Sequence, residues 1–199
     1  MSKAVVLWTG GKDSALAFYR AQEAGVEIVG LATFIPADGS EFKAHPQAQI
    51  TAQAESLGLP MHFLKIIEPY EQSYVEQLKA IRSLLGITSV ITGDIDFVAA
   101  EPNWIVQCCS QVPLDVIRPL WQESRDSLLE DILKKKICAR ITWINHRDLP
   151  RDWIGRIIDA DFIQEMKTHS EKVNFDLCGE NGEYHTMIEP GSKLGSAGL

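Results

Sequence analysis

The sequence predicts an α/β fold, a doubly wound parallel sheet followed by a smaller C-terminal α+β domain, and three observations carry that expectation. Strand-like and helix-like segments alternate through residue 135. The strand-like runs are almost free of polar residues, as in E-I-V-G-L-A-T-F from Glu27 to Phe34, which suits parallel strands covered on both faces. The first strand also passes through two adjacent glycines straight into a helix. A parallel sheet with right-handed crossovers is the arrangement that satisfies all three.

In chain order, Ala4 to Trp8 reads as a short buried strand, Gly10 and Gly11 break it, and Lys12 opens a helix through Ala24, closed by Gly25. Glu27 to Phe34 is the second strand and Ile35 to Lys43 a loop. A helix starts near His45-Pro46, proline being favoured at a first helical position, with Ile50, Ala54 and Leu57 on one face and Gly58 at its end. Met61 to Ile67 is the third strand. Glu71 to Leu85 is the clearest amphipathic helix, with Tyr74, Leu78, Ile81 and Leu85 in register. Ser89 to Thr92 forms a fourth strand, Trp104 to Ser110 a helix and Leu114 to Ile117 a fifth strand. Ser124 caps a helix burying Leu128, Leu129, Ile132 and Leu133; Ile137 to Asn145 is a strand and Asp159 to His169 a helix. Phe175 to Ile188 reads as extended around a turn at Asn181-Gly182. The expected division is a nucleotide-binding domain over 1–122 and a smaller substrate domain over 123–190, with 191–199 resembling a linker.

The strand, glycine turn and helix start of the first loop form an anion site. Glycines let backbone amides approach a phosphate, and the helix end adds partial positive charge. Lys12 adds a point charge, and Thr9 and Ser14 add hydroxyls. The spacing excludes a Walker loop, since Asp13 follows the lysine and Val6 stands where its first glycine belongs. The dinucleotide fingerprint fails too, because the glycines are adjacent and no third follows. The ligand read from this loop is the pyrophosphate of ATP.

Composition narrows the class. The chain has 199 residues, 45% hydrophobic and 23% charged, ordinary values for one globular core with an appendage. No apolar run approaches a membrane span and no signal peptide is visible, so the expected compartment is the cytoplasm. Cys108, Cys109, Cys138 and Cys178 show neither zinc spacing nor a Cys-x-x-Cys pair. A net charge of −8 argues against a surface built for nucleic acid. Lys134 to Lys136 sit at a helix end and complement its dipole.

Two further constellations carry chemistry. Gly93-Asp94 follows an apolar strand; if strands one and four are neighbours, Asp94 faces the first loop and holds magnesium with Asp13, and otherwise it caps a turn. Asp176 to Thr186, D-L-C-G-E-N-G-E-Y-H-T, would be a hairpin bringing Glu180 and Glu183 together with His185 beyond. His62 and His169 read as structural and His146 as a loop residue, while His45 stays a candidate near the nucleotide.

The run T-G-G-K-D-S resembles the loop of the PP-loop ATP pyrophosphatases, with Thr9 for the first serine. Followed in order by Q-A-E-S-L-G-L-P (Gln53 to Pro60), G-D-I (Gly93 to Ile95), P-L-W (Pro119 to Trp121), W-I-G-R (Trp153 to Arg156) and C-G-E-N-G-E-Y-H-T (Cys178 to Thr186), it is similar to the diphthine–ammonia ligase family over residues 3 to 188. After G-D-I this chain reads F-V-A-A-E-P-N-W, where that family carries a more basic helix. The resemblance implies a Rossmann-like nucleotide domain, a cleft against a smaller domain, and an AMP- and pyrophosphate-forming amidation of a carboxylate by ammonia. It implies nucleotide contacts from Thr9, Gly10, Gly11, Lys12, Asp13, Ser14 and Gly93, an adenine edge at Ala32, Thr33 and Phe34, and magnesium on Asp13 and Asp94. Glu180, Glu183 and His185 would line the acceptor side, with Trp121 or Tyr184 offering an aromatic face to a trimethylammonium group. The partners implied are ATP, Mg2+, ammonia and a carboxylate acceptor, diphthine on a translation factor if the source is archaeal or eukaryotic, with a homodimer left open. The rival readings are a PP-loop enzyme acting on a small carboxylic acid or modified RNA, and a module that senses ATP without turnover.

Overall fold

The computed structural model describes residues 2–39, 46–97 and 103–189. His45, the tail over 191–199, and part of the loop and of the 97–111 segment named above lie outside these residues.

The first half alternates as expected: β1 (Lys3–Leu7), α1 (Lys12–Glu23), β2 (Glu27–Pro36), α2 (Gln47–Leu57), β3 (Met61–Ile66), α3 (Tyr70–Leu85), β4 (Ser89–Ile91), α4 (Trp104–Ser110) and β5 (Asp115–Ile117). The five strands form one sheet in the order β3-β2-β1-β4-β5, every pair parallel. Strands one and four are therefore neighbours, with Ala4 opposite Ser89 and Val6 opposite Ile91. The winding direction reverses between them, and such a switch point opens a crevice at the carboxyl edge.

Strand alternation sorts the core onto two faces. Val6 and Ile91 join Leu16 of α1 and Ile50 of α2 on one side, while Val5 and Val90 join Leu78 of α3 and Cys109 of α4 on the other. Fully buried side chains such as Leu16 and Leu78 stabilise by about 1.5–3 kcal/mol each. All four cysteines are free thiols.

The second half adds α5 (Arg125–Lys134), β6 (Ala139–Ile144), a 3-10 turn (Arg151–Trp153), α6 (Ala160–Ser170) and β7 (Tyr184–Ile188). Its apolar residues do not form a separate core: Leu128, Ile132, Phe162 and Ile188 belong to the cluster around Leu16. Arg20 of α1 fastens the joint, pairing with Glu123 at 2.6 Å and with Asp131 of α5 at 2.7 Å. Ser124 caps α5 as expected, its hydroxyl accepting from the Ser127 amide at 3.2 Å.

The stretch from Phe175 to Ile188 departs from the expected hairpin. Only Tyr184–Ile188 is extended, and it pairs antiparallel with β6, not with the residues before Asn181. Residues 175–183 instead fold into successive turns. Two carboxylates hold them there: Asp176 accepts from the Cys178 amide at 2.7 Å, and Glu183 accepts from the Asp176 amide at 2.8 Å. Gly179 sits at φ 73°, and a Cβ there would meet the Tyr184 carbonyl at 3.0 Å. Local side-chain-to-backbone bonds of this kind outcompete the ladder that Asn-Gly otherwise suggests.

Candidate active site

The crevice is built around the turn that joins β1 to α1. Gly10 lies at φ 76°, and a Cβ there would come within 2.8 Å of both Gln53 Oε1 and Met187 Sδ. At Gly11 it would come within 3.1 Å of the Thr186 carbonyl. The glycines are thus required by β7 and α2 packing behind the loop, a reason that stands beside phosphate access. Gln53 is fully buried: it accepts from the Trp8 indole at 2.8 Å and donates to the carbonyls of Gly10 at 3.2 Å and Ile188 at 2.8 Å. Sequence reading passed over it, although a glutamine three residues from Ile50 on a buried helical face is a signal of a polar group with fixed partners.

Helix α1 takes no cap from its own Gly11. Its first amide, that of Lys12, donates instead to the Thr186 hydroxyl at 3.1 Å, from 174 residues away. Thr9 and Ser14 share a hydroxyl contact at 3.3 Å on the outer side of the turn.

Lys12 does not stand where the sequence reading put it. Its ammonium is 2% exposed, donates to Asp13 Oδ2 at 2.7 Å and to the Cys178 carbonyl, and lies 5.2 Å from the Tyr184 ring centre. Burial opposes its charge, yet Asp13 and its other neighbours push its pKa above the ordinary lysine range. In this arrangement Lys12 is an internal cation that binds the loop to the C-terminal turns, and direct phosphate contact would require breaking the Cys178 bond.

Gly93 is pressed against the start of α1: a Cβ there would lie 2.7 Å from the Asp13 carbonyl carbon. Asp94 is the next residue along that loop, and Glu180 feels the charges of both Asp13 and Asp94. Burial raises the pKa of both carboxyls, with Lys12 opposing it at Asp13 and Thr92 and Arg118 opposing it at Asp94. Asp13 Oδ1 is buried with no hydrogen-bond partner. An orphaned buried carboxylate oxygen fits a magnesium ion shared with phosphates, which uses one or two protein carboxylates. No cluster of three or more His, Cys, Asp or Glu suited to a metal occurs among the described residues.

The three acceptor-side candidates have different partners. Glu180 reaches the β4 loop, where one oxygen accepts the amides of Ile95 at 3.0 Å and Asp96 at 3.2 Å. Burial pushes its pKa up to about 7 against those amides, and the charges of Asp13 and Asp94 add to the rise. Glu183 is buried and turned into its own loop, accepting from the amides of Asp176 and Asn181. It supports the turns and is not presented to a substrate. His185 is half-buried between Tyr184 and Thr186 on β7. Its pKa is lowered by burial and then by Lys12. Arg125, also missed, parallels Glu180 by joining Asp176 at 2.7 Å to Asp96 at 3.5 Å.

A cavity of about 260 Å³ opens at the carboxyl ends of β1 and β2, lined by Trp8, Thr9, Ala32, Thr33, Phe34 and Tyr74 among others. Phe34 and Tyr74 stack at 4.1 Å and 22°. The expected adenine edge therefore does border an aromatic pocket. Trp121 and Tyr184 each carry a protein cation on one face, Arg118 at 3.8 Å and Lys12 at 5.2 Å, and the Tyr184 ring is also buried.

A parallel sheet whose first strand turns through paired glycines into a helix, with the winding reversing at the adjacent strand, defines a Rossmann-like α/β fold. Within that class the chain belongs to the diphthamide synthase family: it matches the diphthamide synthase N-terminal domain over residues 2–116 and the C-terminal domain over residues 124–192. It is 25% identical to the diphthine–ammonia ligase of Schizosaccharomyces pombe over 206 residues, covering 94% of this chain and 34% of that protein. Against the diphthine–ammonia ligase of Danio rerio it is 26% identical over 210 residues, covering 93% of this chain and 81% of the relative. The chain thus spans about a third of the yeast relative. Among solved structures, the predicted subunit of tRNA methyltransferase from Methanocaldococcus jannaschii aligns with a TM-score of 0.46 at 14% identity, covering 95% of this chain and 98% of that one.

Proposed function

We propose that this protein is an ATP-dependent ligase that activates a carboxylate as its adenylate, releases pyrophosphate, and passes the acyl group to ammonia with release of AMP. The observation that carries the reading is the contact of Gly93 with the start of α1, which presses the loop that carries Asp94 against the residue whose carboxylate oxygen is orphaned. Relatives named diphthine–ammonia ligases support it.

The cavity bordered by Phe34 and Tyr74 would take the adenine, and the α1 start with Thr9 and Ser14 would take the phosphates. Asp13 and Asp94 would hold a magnesium ion, which supplies positive charge against the phosphates. Glu180 is the group placed to move a proton. Its Oε1 is fixed by two amides, and a carboxyl titrating near 7 is matched to taking a proton from ammonium at neutral pH. No described helix is long and apolar enough to cross a membrane, which agrees with a cytoplasmic enzyme.

The test is incubation with α-labelled ATP, magnesium, ammonium and a translation factor carrying diphthine. The expected products are labelled AMP and an amidated acceptor. Release of ADP and orthophosphate would overturn the reading, and tight ATP binding without any AMP would favour a sensing module.

A further inference from the structure

Arg118 follows the last residue of β5 at the carboxyl edge of the sheet, next to the strand end that carries Asp94: the Thr92 amide donates to the Ile117 carbonyl at 3.0 Å. Its guanidinium lies 3.8 Å from the centre of the Trp121 ring. Trp121 is in turn braced by Phe97, edge to face at 4.9 Å and 84°. Both Arg118 and Trp121 are half-buried. Every other arginine donates to a protein oxygen: Arg20, Arg125, Arg140, Arg147 and Arg156 to carboxylates, Arg82 and Arg151 to backbone carbonyls. Arg118 alone has no hydrogen-bonding partner among the described residues; the Asp94 carboxyl feels its charge, and its head is stacked on Trp121. A stacked guanidinium with its donors unused presents a planar fork that matches a carboxylate.

Position decides which anion it meets. The aromatic cavity sits at β1 and β2, and the anion-binding turn follows β1. Strand β5 lies two places beyond β1, roughly 10 Å away at ordinary strand spacing, with Asp94 on the intervening β4. An acceptor approaching the nucleotide from the side opposite the base would arrive there.

We infer that Arg118, stacked on Trp121, anchors the carboxylate of the acceptor. This inference rests on the ligase reading above for the word acceptor, while the binding event itself does not need ATP.

The experiment uses succinate as the probe, with the full chain labelled on arginine nitrogen. Millimolar succinate should move the Arg118 Nε–H resonance, and choline should not. In Arg118→Met, succinate binding should weaken roughly tenfold to a hundredfold, the loss expected for hydrogen bonds to a charged group. Magnesium-ATP affinity should stay within about twofold, a difference below 1 kcal/mol. Arg118→Lys keeps the charge without the fork; it should bind succinate less well than the wild type, and serves if the methionine variant loses its native circular dichroism. The inference is overturned if succinate leaves the resonance still, if both variants bind it as the wild type does, or if choline binds more tightly. It is also overturned if inorganic pyrophosphate, and not succinate, requires Arg118, which would assign the residue to the nucleotide tail. Loss of ATP binding by the wild type with succinate binding intact would instead sink the ligase reading and leave the anion site standing.

Discussion

The side-chain amide of Gln53 donates to the carbonyl of Gly10 at 3.2 Å, joining α2 to the glycine turn across 43 residues. The same side chain satisfies Trp8 and Ile188, so three backbone segments meet at one buried group. Gln53→Leu strands the Trp8 indole N–H and weakens the hold on both carbonyls. The expected cost is roughly 1–3 kcal/mol in urea unfolding, with weaker ATP binding. A change under about 0.5 kcal/mol, typical of a surface position, would show that the turn holds itself.

Thr186 caps α1 from the far end of the chain. Thr186→Val should lower stability by about 1 kcal/mol, the ordinary worth of a side-chain cap, and Thr186→Ser should restore most of it. Equal losses in the two variants would assign the effect to packing against Gly11 and not to the hydroxyl.

Gly93→Ala places a methyl group 2.7 Å from the Asp13 carbonyl carbon and 2.8 Å from the Ser14 amide nitrogen. Backbone on both sides leaves little to yield, so β4's loop must shift away from α1. The expected loss is roughly 1–3 kcal/mol in thermal or urea unfolding, together with lower magnesium-ATP affinity by calorimetry. Unchanged ATP affinity would mean that nucleotide binding does not need the close approach of this loop to α1.

Asp94→Asn should bind ATP in magnesium about as weakly as the wild type does in EDTA, roughly tenfold down or more in each case. A variant that still gains affinity on adding magnesium would place the ion elsewhere. The Asp13→Asn variant is a poorer probe, because it also removes the buried partner of Lys12.

Glu180 gives the molecule a pH signature. Its pKa is about 7 in the folded state against 4.5 for the free side chain, so the folded protein holds the extra proton between those values. Stability therefore falls as pH rises from the lower value through the upper one, and the cost is fully present above pH 7. Allowing for solvent screening of a partly exposed group, the effect is on the order of 1 kcal/mol. Glu180→Gln should lessen the fall between pH 5 and pH 8 measured by urea unfolding. Parallel profiles for both proteins would mean that the carboxyl is ionised throughout.

Much of the α/β half was legible because its signals are local. Apolar runs, glycine stops and the spacing of Tyr74, Leu78, Ile81 and Leu85 each act within one element, and tertiary packing agrees with them. The neighbouring of β1 and β4, entertained only conditionally from sequence, is what brings Gly93 to Asp13. The C-terminal stretch was misread for the opposite reason. Asn181-Gly182 favours a hairpin, but Asp176 and Glu183 recruit nearby amides and fold the segment before it can pair. Glu183 thereby became a support, and Glu180 a strut to Ile95. Gln53, Arg118 and Arg125 were missed because their meaning depends on partners remote in sequence, which periodicity does not encode.

The last strand has a consequence for how the protein matures. Thr186 supplies the cap of α1, Met187 closes the space beside Gly10, and the Ile188 amide donates to the Gly10 carbonyl at 2.9 Å. A polypeptide leaving the ribosome would carry its glycine turn early and unfinished, until the residues of β7 had followed it out, and a product cut short before Thr186 would lack every one of these supports.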